Sequence, residues 1–259
     1  MAIYHLHAQI IKRSAGRSAV AAAAYRSGEL LYDQLEDRVF DYSRRDHIDH
    51  TQILAPDAAP DWVFEREKLW NEVELSERRG DAQLARELHM SLPRELEKDA
   101  NIELGLGYVR EQFVEQGMIA DVAFHNLEQD NPHLHVMLTL RSVDEDGFGL
   151  KERDWNQRQQ LGEWRVAWAE HVNDGLEQAL VNERVSCLTL EAQGLEHSAQ
   201  HYHLSALHML ERGEVSDRVI ELHAARRQEQ DLEERLETLG QGINRELAQD
   251  LGLDHGLGL

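Results

Sequence analysis

The stretch "MIADVAFHNLEQDNPHLHVMLTLR", residues 118–141, contains two segments of alternating apolar and polar residues joined by a polar loop. Alternation with a period of two is typical of β-strands, because successive side chains point to opposite faces of a sheet. The loop "NLEQDNP" is rich in Asn, Asp and Pro, which favour turns. The stretch therefore predicts an antiparallel hairpin and, with it, an antiparallel sheet.

This hairpin gathers three histidines. His133 and His135 share one face of the second strand, and His125 ends the first strand on the face opposite Phe124. Antiparallel pairing brings these two strand ends together. Three neutral imidazoles can hold a divalent cation and leave coordination positions open, as catalytic metal sites require. We interpret the trio as a metal site, although histidines on a polar strand face can also serve only as hydrogen-bonding groups.

The same alternation predicts strands at "AIYHLHAQII" and "AQLARELHMSLP", whose polar faces carry His5, His7 and His89. For each of these three, simple hydrogen bonding is favoured over metal binding. Residues 29–58 are interpreted as polar and turn-prone. Apolar residues at helical spacing predict helices over 19–27, 59–79, 95–117 and 153–180.

These elements predict an α+β fold. We expect a central antiparallel sheet of about five strands, with helices packed on its apolar face and the histidine face left open. A stripe of leucines after residue 230 indicates further helix towards the C terminus.

The composition of the 259-residue chain limits its function. A net charge of −22 argues at first against nucleic acid as a partner. However, residues 10–28 hold four basic residues and no acid. The single Cys187 excludes an internal disulfide and a cysteine-based zinc cluster, and no apolar run approaches the roughly 18 to 20 residues of a membrane span. We expect a soluble cytoplasmic protein with a local basic patch.

A tyrosine follows this basic segment in "GRSAVAAAAYRSGE", residues 16–29. Tyr25 lies near the end of a short alanine-rich helix, between Arg17 and Arg26. A phenol is a poor nucleophile, but positive charge and a metal-bound phosphate lower the barrier to its attack. Taken alone, the motif would be interpreted as an ordinary tyrosine on a core-packing helix.

The motifs "RSAVAAAAYRSGE" and "NPHLHVMLTLR" together closely resemble the MobA/MobL family of plasmid mobilisation relaxases, within the His-hydrophobe-His endonucleases. The resemblance extends, in family order, over most of residues 1 to about 220 and includes "LARELHMSLPREL" and "LGEWRVAWAEHVNDGLE". It implies a relaxase domain over residues 1–200, with metal and DNA on the open face of the sheet. A mostly helical C-terminal extension would then occupy residues 201–259.

The resemblance also implies a reaction. A relaxase nicks one strand at a plasmid origin of transfer by tyrosyl transesterification, leaving a 5′-phosphotyrosine adduct, and later rejoins the strand. Tyr25 matches the family's nucleophile, and its three metal ligands match His125, His133 and His135. Glu87 matches an acid near the active site that helps to take the phenol's proton. The expected cofactor is a divalent ion, Mg²⁺ or Mn²⁺.

The expected partners are single-stranded DNA at the origin of transfer, a type IV secretion coupling protein and accessory relaxosome proteins. Two alternatives remain open: a metal-dependent hydrolase that uses water rather than Tyr25, and a non-catalytic protein that binds a plasmid origin. The residues expected to contact the DNA backbone are Lys12, Arg13, Arg17 and Arg26. Weaker candidates, each more typical of a solvated surface charge, are Arg44, Arg45, Arg141 and Arg153.

Overall fold

The computed structural model describes residues 4–145 and 147–188. The helical extension predicted for residues 201–259 lies outside these described residues. The strands are β1 (Leu6–Lys12), β2 (Leu30–Asp33), β3 (Arg38–Asp41), β4 (Ile48–Leu54), β5 (Gln83–Ser91), β6 (Ala120–His125), β7 (His133–Leu138), β8 (Arg141–Asp144) and β9 (Gly147–Lys151). The α-helices are α1 (Ala19–Ser27), α2 (Arg66–Ser76), α3 (Lys98–Val109) and α4 (Arg158–Gln178).

Five of the strands form one antiparallel sheet in the order β1-β5-β7-β6-β4. The predicted hairpin is confirmed: β6 and β7 pair with His125 opposite His133. On the other side of β7, His135 lies opposite His89 of β5. Because paired residues of neighbouring strands share a face, this register puts all four histidines on the same side of the sheet.

The opposite face carries the larger core, as predicted. Helices α3 and α4 pack there against β5, β6 and β7, and Trp164 and Trp168 of α4 are fully buried in this core. Gly105 lies in the middle of α3, where a glycine normally weakens a helix. A Cβ at Gly105 would lie 2.6 Å from the ring of Phe124, so the glycine lets α3 approach the sheet closely.

The prediction that helices cover one face only is incomplete. Helices α1 and α2 also pack on the histidine face, in a core that includes Ala85, Met137 and Trp70, and the last turn of α1 reaches the histidine end of that face. The physical reason lies in β5 and β7. Along each strand, this face changes from polar at His89 and His135 to apolar at Ala85 and Met137. The open part of the face is therefore its histidine end.

The interpretation of residues 29–58 as a polar, turn-prone stretch is incomplete, because three strands lie within it. Strands β2 and β3 pair with each other, and β4 forms an edge of the main sheet by pairing with β6. The sequence of β4, "IDHTQIL", is polar and most of its residues are only half-buried, as befits an edge strand. Such a strand gives no clear alternation. Within the described ranges, no helix has the length and apolarity needed to cross a membrane.

Candidate active site

Helix α1 carries Tyr25 in its last turn, as the sequence predicts. Ser18 caps the start of the helix by accepting a hydrogen bond of 3.2 Å from the backbone N–H of Ala21. Gly28 ends it in a left-handed conformation with φ of 68°. The alanines of α1 are largely buried against the sheet and α2, whereas the Tyr25 side chain is 46% exposed. The helix therefore presents the phenol at the surface.

The Tyr25 ring is held between two side chains from the segment before β4. Tyr42 contacts it edge-on, with 5.2 Å between ring centroids. The guanidinium of Arg45 lies 3.7 Å from the centre of the Tyr25 ring and donates a hydrogen bond of 2.7 Å to the Tyr25 carbonyl. Arg45, a weaker candidate from the sequence, is thus in direct contact with Tyr25.

Four histidines meet on the open end of the sheet. The predicted trio is brought together, with ring centroids 5.3 Å apart for His125 and His133 and 5.0 Å apart for His125 and His135. His89 joins them from β5, at 4.9 Å from His133 and 4.6 Å from His135. One ring nitrogen from each of His89, His133 and His135 lies within 4.8 Å of the others, which is close enough for a shared metal ion.

One ring nitrogen of each predicted ligand faces an oxygen atom. Because carbonyl oxygens only accept, His133 Nδ1 donates to the Asn131 carbonyl at 2.7 Å, and His125 Nε2 donates to the Arg26 carbonyl at 2.8 Å. His135 Nδ1 lies 3.3 Å from Glu87 Oε1. Such contacts leave the second nitrogen of each ring with a free lone pair, as in metal-binding histidines. The group whose donor atoms lie close enough together for a divalent cation is His89, His133 and His135, which contains two of the three predicted ligands.

Burial keeps the histidines neutral. Burial, together with the neighbouring imidazoles, lowers the pKa of His125 to about 3 and that of His133 to about 4. The pKa of His135 is also lowered, mainly by burial. In His89, burial and the adjacent His135 lower the pKa to about 2. A neutral imidazole is the form that binds a metal.

Glu87 lies directly behind the histidines. Its carboxylate pairs with Arg26, lies 3.4 Å from Arg17, and accepts a hydrogen bond of 2.6 Å from Gln9. Burial by itself would raise the pKa of Glu87, but contacts with His135 and Arg26 lower it to about 2. Glu87 is therefore a carboxylate at neutral pH, anchored between two cations and a histidine.

Arg26 joins Tyr25's helix to the histidine cluster. Its guanidinium pairs with Glu87 and donates a hydrogen bond of 2.8 Å to the Ala22 carbonyl, while its own carbonyl accepts from His125. Arg26 follows Tyr25 directly in the chain. The nucleophile candidate and the metal-site candidate are thus connected through one residue.

The other residues predicted to contact DNA differ in whether they are exposed or already paired within the protein. Lys12 and Arg44 are exposed, and so is Arg153. Arg13 instead donates hydrogen bonds to the carbonyls of Glu74 and Glu77 at the end of α2 and pairs at 2.7 Å with the buried Glu74 carboxylate. Arg141 pairs with Glu77 at 3.0 Å. Arg13 and Arg141 therefore have structural partners.

The histidine cluster predicts that the metal-free protein loses stability in mild acid. Below pH 6.5, the usual pKa of histidine, the unfolded chain takes up protons that the buried imidazoles refuse, so the free energy of unfolding falls. We expect the melting temperature, measured with chelator, to fall between pH 7.5 and pH 5. His89→Leu should flatten this dependence, whereas the same change at the exposed His7 should not. Equal pH slopes for all three proteins would contradict the expectation.

The fold and the site define an α+β protein with a candidate histidine metal centre beside a surface tyrosine. The model of the MobA/MobL family matches residues 17–212, and the chain belongs to this family.

Curated relatives and a solved structure agree with this assignment. Conjugal transfer protein TraA of Agrobacterium fabrum is 41% identical over 162 residues, which cover 59% of this chain but 15% of TraA. Mobilization protein MobL of Acidithiobacillus ferridurans is 36% identical over 211 residues, covering 68% of this chain and 55% of MobL. The chain thus spans only part of the length of either relative.

A solved structure from work on the molecular basis of vancomycin resistance transfer in Staphylococcus aureus is also similar to this chain. It is 34% identical and superposes with a TM-score of 0.70, covering 73% of this chain and all of that one.

Proposed function

We propose that the chain is a relaxase domain that nicks and rejoins one strand of plasmid DNA at an origin of transfer. The Tyr25 phenol oxygen attacks the scissile phosphorus, and the bond from phosphorus to the 3′ oxygen breaks. The phenol gives up its proton and the leaving 3′ oxygen takes one up. The products are a 5′-phosphotyrosine link and a free 3′-hydroxyl, which can reverse the reaction without a nucleotide cofactor.

One observation carries this proposal: the contact of Arg26 with both Glu87 and His125. Through Arg26, the last turn of the helix that carries the exposed Tyr25 contacts Glu87 and His125. A water-using hydrolase would not require a phenol held at this position. The names of the relatives, conjugal transfer and mobilization proteins, support the same reading.

In this proposal His125, His133 and His135 hold the divalent cation. When bound, such an ion supplies positive charge to the non-bridging oxygens of the scissile phosphate. Of the two ions expected from the sequence, Mn²⁺ suits the donors better. Mg²⁺ prefers oxygen ligands, whereas imidazole nitrogen suits later divalent ions.

We propose that Glu87 is a positioning residue. A carboxylate with a pKa of about 2 is a weak acceptor for a phenol's proton. Its contact with His135 Nδ1 orients that ring and leaves Nε2 for the metal. Its pairing with Arg26 holds the last turn of α1. Arg45, over the Tyr25 ring, would stabilise negative charge developing on the phenol oxygen.

The same assignment suggests where DNA lies. We propose that single-stranded DNA crosses the histidine end of the open face, with backbone contacts from Lys12 and Arg17 and with Arg26 close to the scissile phosphate. The exposed Arg44 and Arg153 are further candidates.

We also propose that the relaxase domain occupies residues 1–200 and that residues 201–259 form a helical extension. In this proposal the protein works in the bacterial cytoplasm with a coupling protein and accessory relaxosome proteins.

A pair of neighbouring substitutions separates DNA contact from structure. Lys12→Gln should weaken binding to a single-stranded origin oligonucleotide and reduce the slope of log K against log salt by about 0.7, the loss of one phosphate contact. Arg13→Gln should leave that slope unchanged and lower the melting temperature, because it strands the buried Glu74. Fluorescence anisotropy at several salt concentrations and thermal melts measure both. If Arg13→Gln reduced the slope and Lys12→Gln lowered the melting temperature instead, Arg13 would be the DNA contact and Lys12 the structural residue.

The function itself is tested by incubating the protein with labelled single-stranded origin-region oligonucleotides and Mn²⁺ and running a denaturing gel. We expect a shifted, protease-sensitive band that chelator abolishes. Cleavage without a shifted band would indicate a metal-dependent hydrolase. Binding without cleavage, whatever the ion, would indicate a non-catalytic origin-binding protein.

A further inference from the structure

We propose that His89 is a fourth imidazole donor of the metal centre, so that this chain holds its cation with His89 in addition to His125, His133 and His135. The inference rests on the proposed metal-assisted function and deepens it. The sequence favours hydrogen bonding alone for His89, since it lies 44 and 46 positions before the paired histidines of β7.

His89 lies close to two of the predicted metal ligands. His89 lies nearer to the two shared ligands than His125 does: its ring centroid is 4.9 Å from His133 and 4.6 Å from His135, against 5.3 and 5.0 Å for His125. The donor atoms of His89, His133 and His135 already lie within 4.8 Å of one another. His133 and His135 can therefore share an ion with a ring on either side.

His89 has a buried ring nitrogen without a hydrogen-bond partner in the part of the chain that the structure describes. Nε2 of His89 is buried and has no hydrogen-bond partner among the described residues. Buried polar atoms are nearly always paired, so an exception needs an explanation. His125 and His133 each donate to a backbone carbonyl, and Nδ1 of His135, which also has no hydrogen bond within the described ranges, lies 3.3 Å from the Glu87 carboxylate. A cation among the four rings would give His89 Nε2 the partner that the protein does not supply.

The pairing of the strands places His89 directly beside His135. His89 lies opposite His135 across β5 and β7, and the two rings are stacked with an interplanar angle of 9°. His7 lies opposite His89 on the other side, across β1 and β5, but its side chain is exposed. His89 lies inside the cluster and His7 lies beside it, so the two make a matched pair for substitution.

A fourth nitrogen donor has consequences for the ion. It raises affinity and moves preference further towards Co²⁺, Ni²⁺, Cu²⁺ and Zn²⁺ and away from Mg²⁺. It also fills a coordination position that a three-histidine site leaves open. The number of donors is therefore visible in the spectrum of a bound Co²⁺ ion as well as in affinity.

The test is titration of the full chain with Co²⁺, followed by calorimetry and by the visible absorption of the bound ion, in the absence of DNA. We expect His89→Ala to weaken Co²⁺ binding by about tenfold or more, the scale for groups that only orient ligands, and to change the visible spectrum. His7→Ala should keep both at the wild-type values. His89→Leu, which fills the space, serves as a second variant, and melts with chelator check folding.

The outcomes separate the inference from the proposed function. Wild-type affinity and spectrum in both His89 variants, with binding lost in His135→Ala, would overturn the role of His89 and leave the three-histidine centre standing. Loss of affinity in the His89 variants and His135→Ala, but not in His7→Ala, would support it. A wild-type chain that bound no Co²⁺ or Mn²⁺ would overturn the inference and the metal-assisted function together.

Discussion

Tyr25→Phe is expected to abolish the covalent DNA adduct and to lower the nicking rate on the order of 10⁴-fold or more, the scale on which enzymes lose activity with their nucleophile. The change removes one oxygen atom from a ring that stays between Tyr42 and Arg45. Because the ring contacts and the helix remain, metal affinity and thermal stability should be unaffected. The adduct band on a denaturing gel and the initial rate of cleavage measure the effect.

Tyr32→Phe is the matched control, since Tyr32 is also an exposed tyrosine and its hydroxyl donates a hydrogen bond of 2.6 Å to Asp37, five residues away. It should form the adduct at the wild-type rate. An adduct that persisted in Tyr25→Phe would assign the attack to another residue. Cleavage that persisted without an adduct would assign it to water.

Glu87→Gln is expected to have the largest effect on stability, about 3 kcal/mol at neutral pH, the scale for breaking a buried ion pair. Glu87 is 2% exposed and Arg26 is 12% exposed, so the variant leaves a largely buried guanidinium without its countercharge. The orientation of His135 also weakens, and we expect metal affinity to fall between about 10- and 100-fold. Chemical denaturation and calorimetry measure these two losses.

The pH dependence of this stability difference has a definite sign. The pKa of Glu87 is about 2 in the folded protein against 4.5 ordinarily, so the carboxylate's contribution is fully present above pH 4.5 and is lost as the pH falls towards 2. The difference between wild type and Glu87→Gln should therefore be constant from pH 7 to pH 5.5 and shrink below pH 4.5. Glu128→Gln, an exposed control 3.8 Å from Lys98, should match wild type throughout.

The same variant tests whether Glu87 positions or takes a proton. If Glu87 only orients His135 and Arg26, saturating Mn²⁺ should restore much of the adduct yield to Glu87→Gln. If it accepts the phenol's proton, excess metal will not help and the pH profile of the rate will change instead. Rescue by metal thus decides between the two roles.

The sequence predicts the centre of this fold well because its signals are local. The alternation in β6 and β7, with a turn-rich loop between them, determines the pairing that brings His125 to His133. Helix α1 is equally predictable, since Ser18 and Gly28 mark its two ends. Both elements carry their own boundary residues, so neither depends on distant parts of the chain.

What the sequence does not predict depends on contacts between distant segments. Strand β4 is polar and half-buried, and only its pairing with β6 makes it a strand. His89 reaches the cluster because β5 lies next to β7, which no local pattern reveals. Arg45 lies 20 residues after Tyr25 in the chain, and the segment that brings the two into contact has a sequence typical of a turn. In each case the missing information is the order of strands or the course of a loop.

Helix α1 is fastened at both ends, which affects the balance between nicking and resealing in the proposed reaction. Its first turn is held by Ser18 and by a hydrogen bond of 2.7 Å from the Ala19 N–H to Glu74, and its last turn is held through Arg26. A phenol on so restrained a support has a high effective concentration at the phosphate and little entropy to lose on attack. If Tyr25 attacks DNA as proposed, the phosphotyrosine would be equally confined, and a 3′-hydroxyl that stays bound would meet it without diffusing. The release of the 3′ end would then set how long the nick stays open.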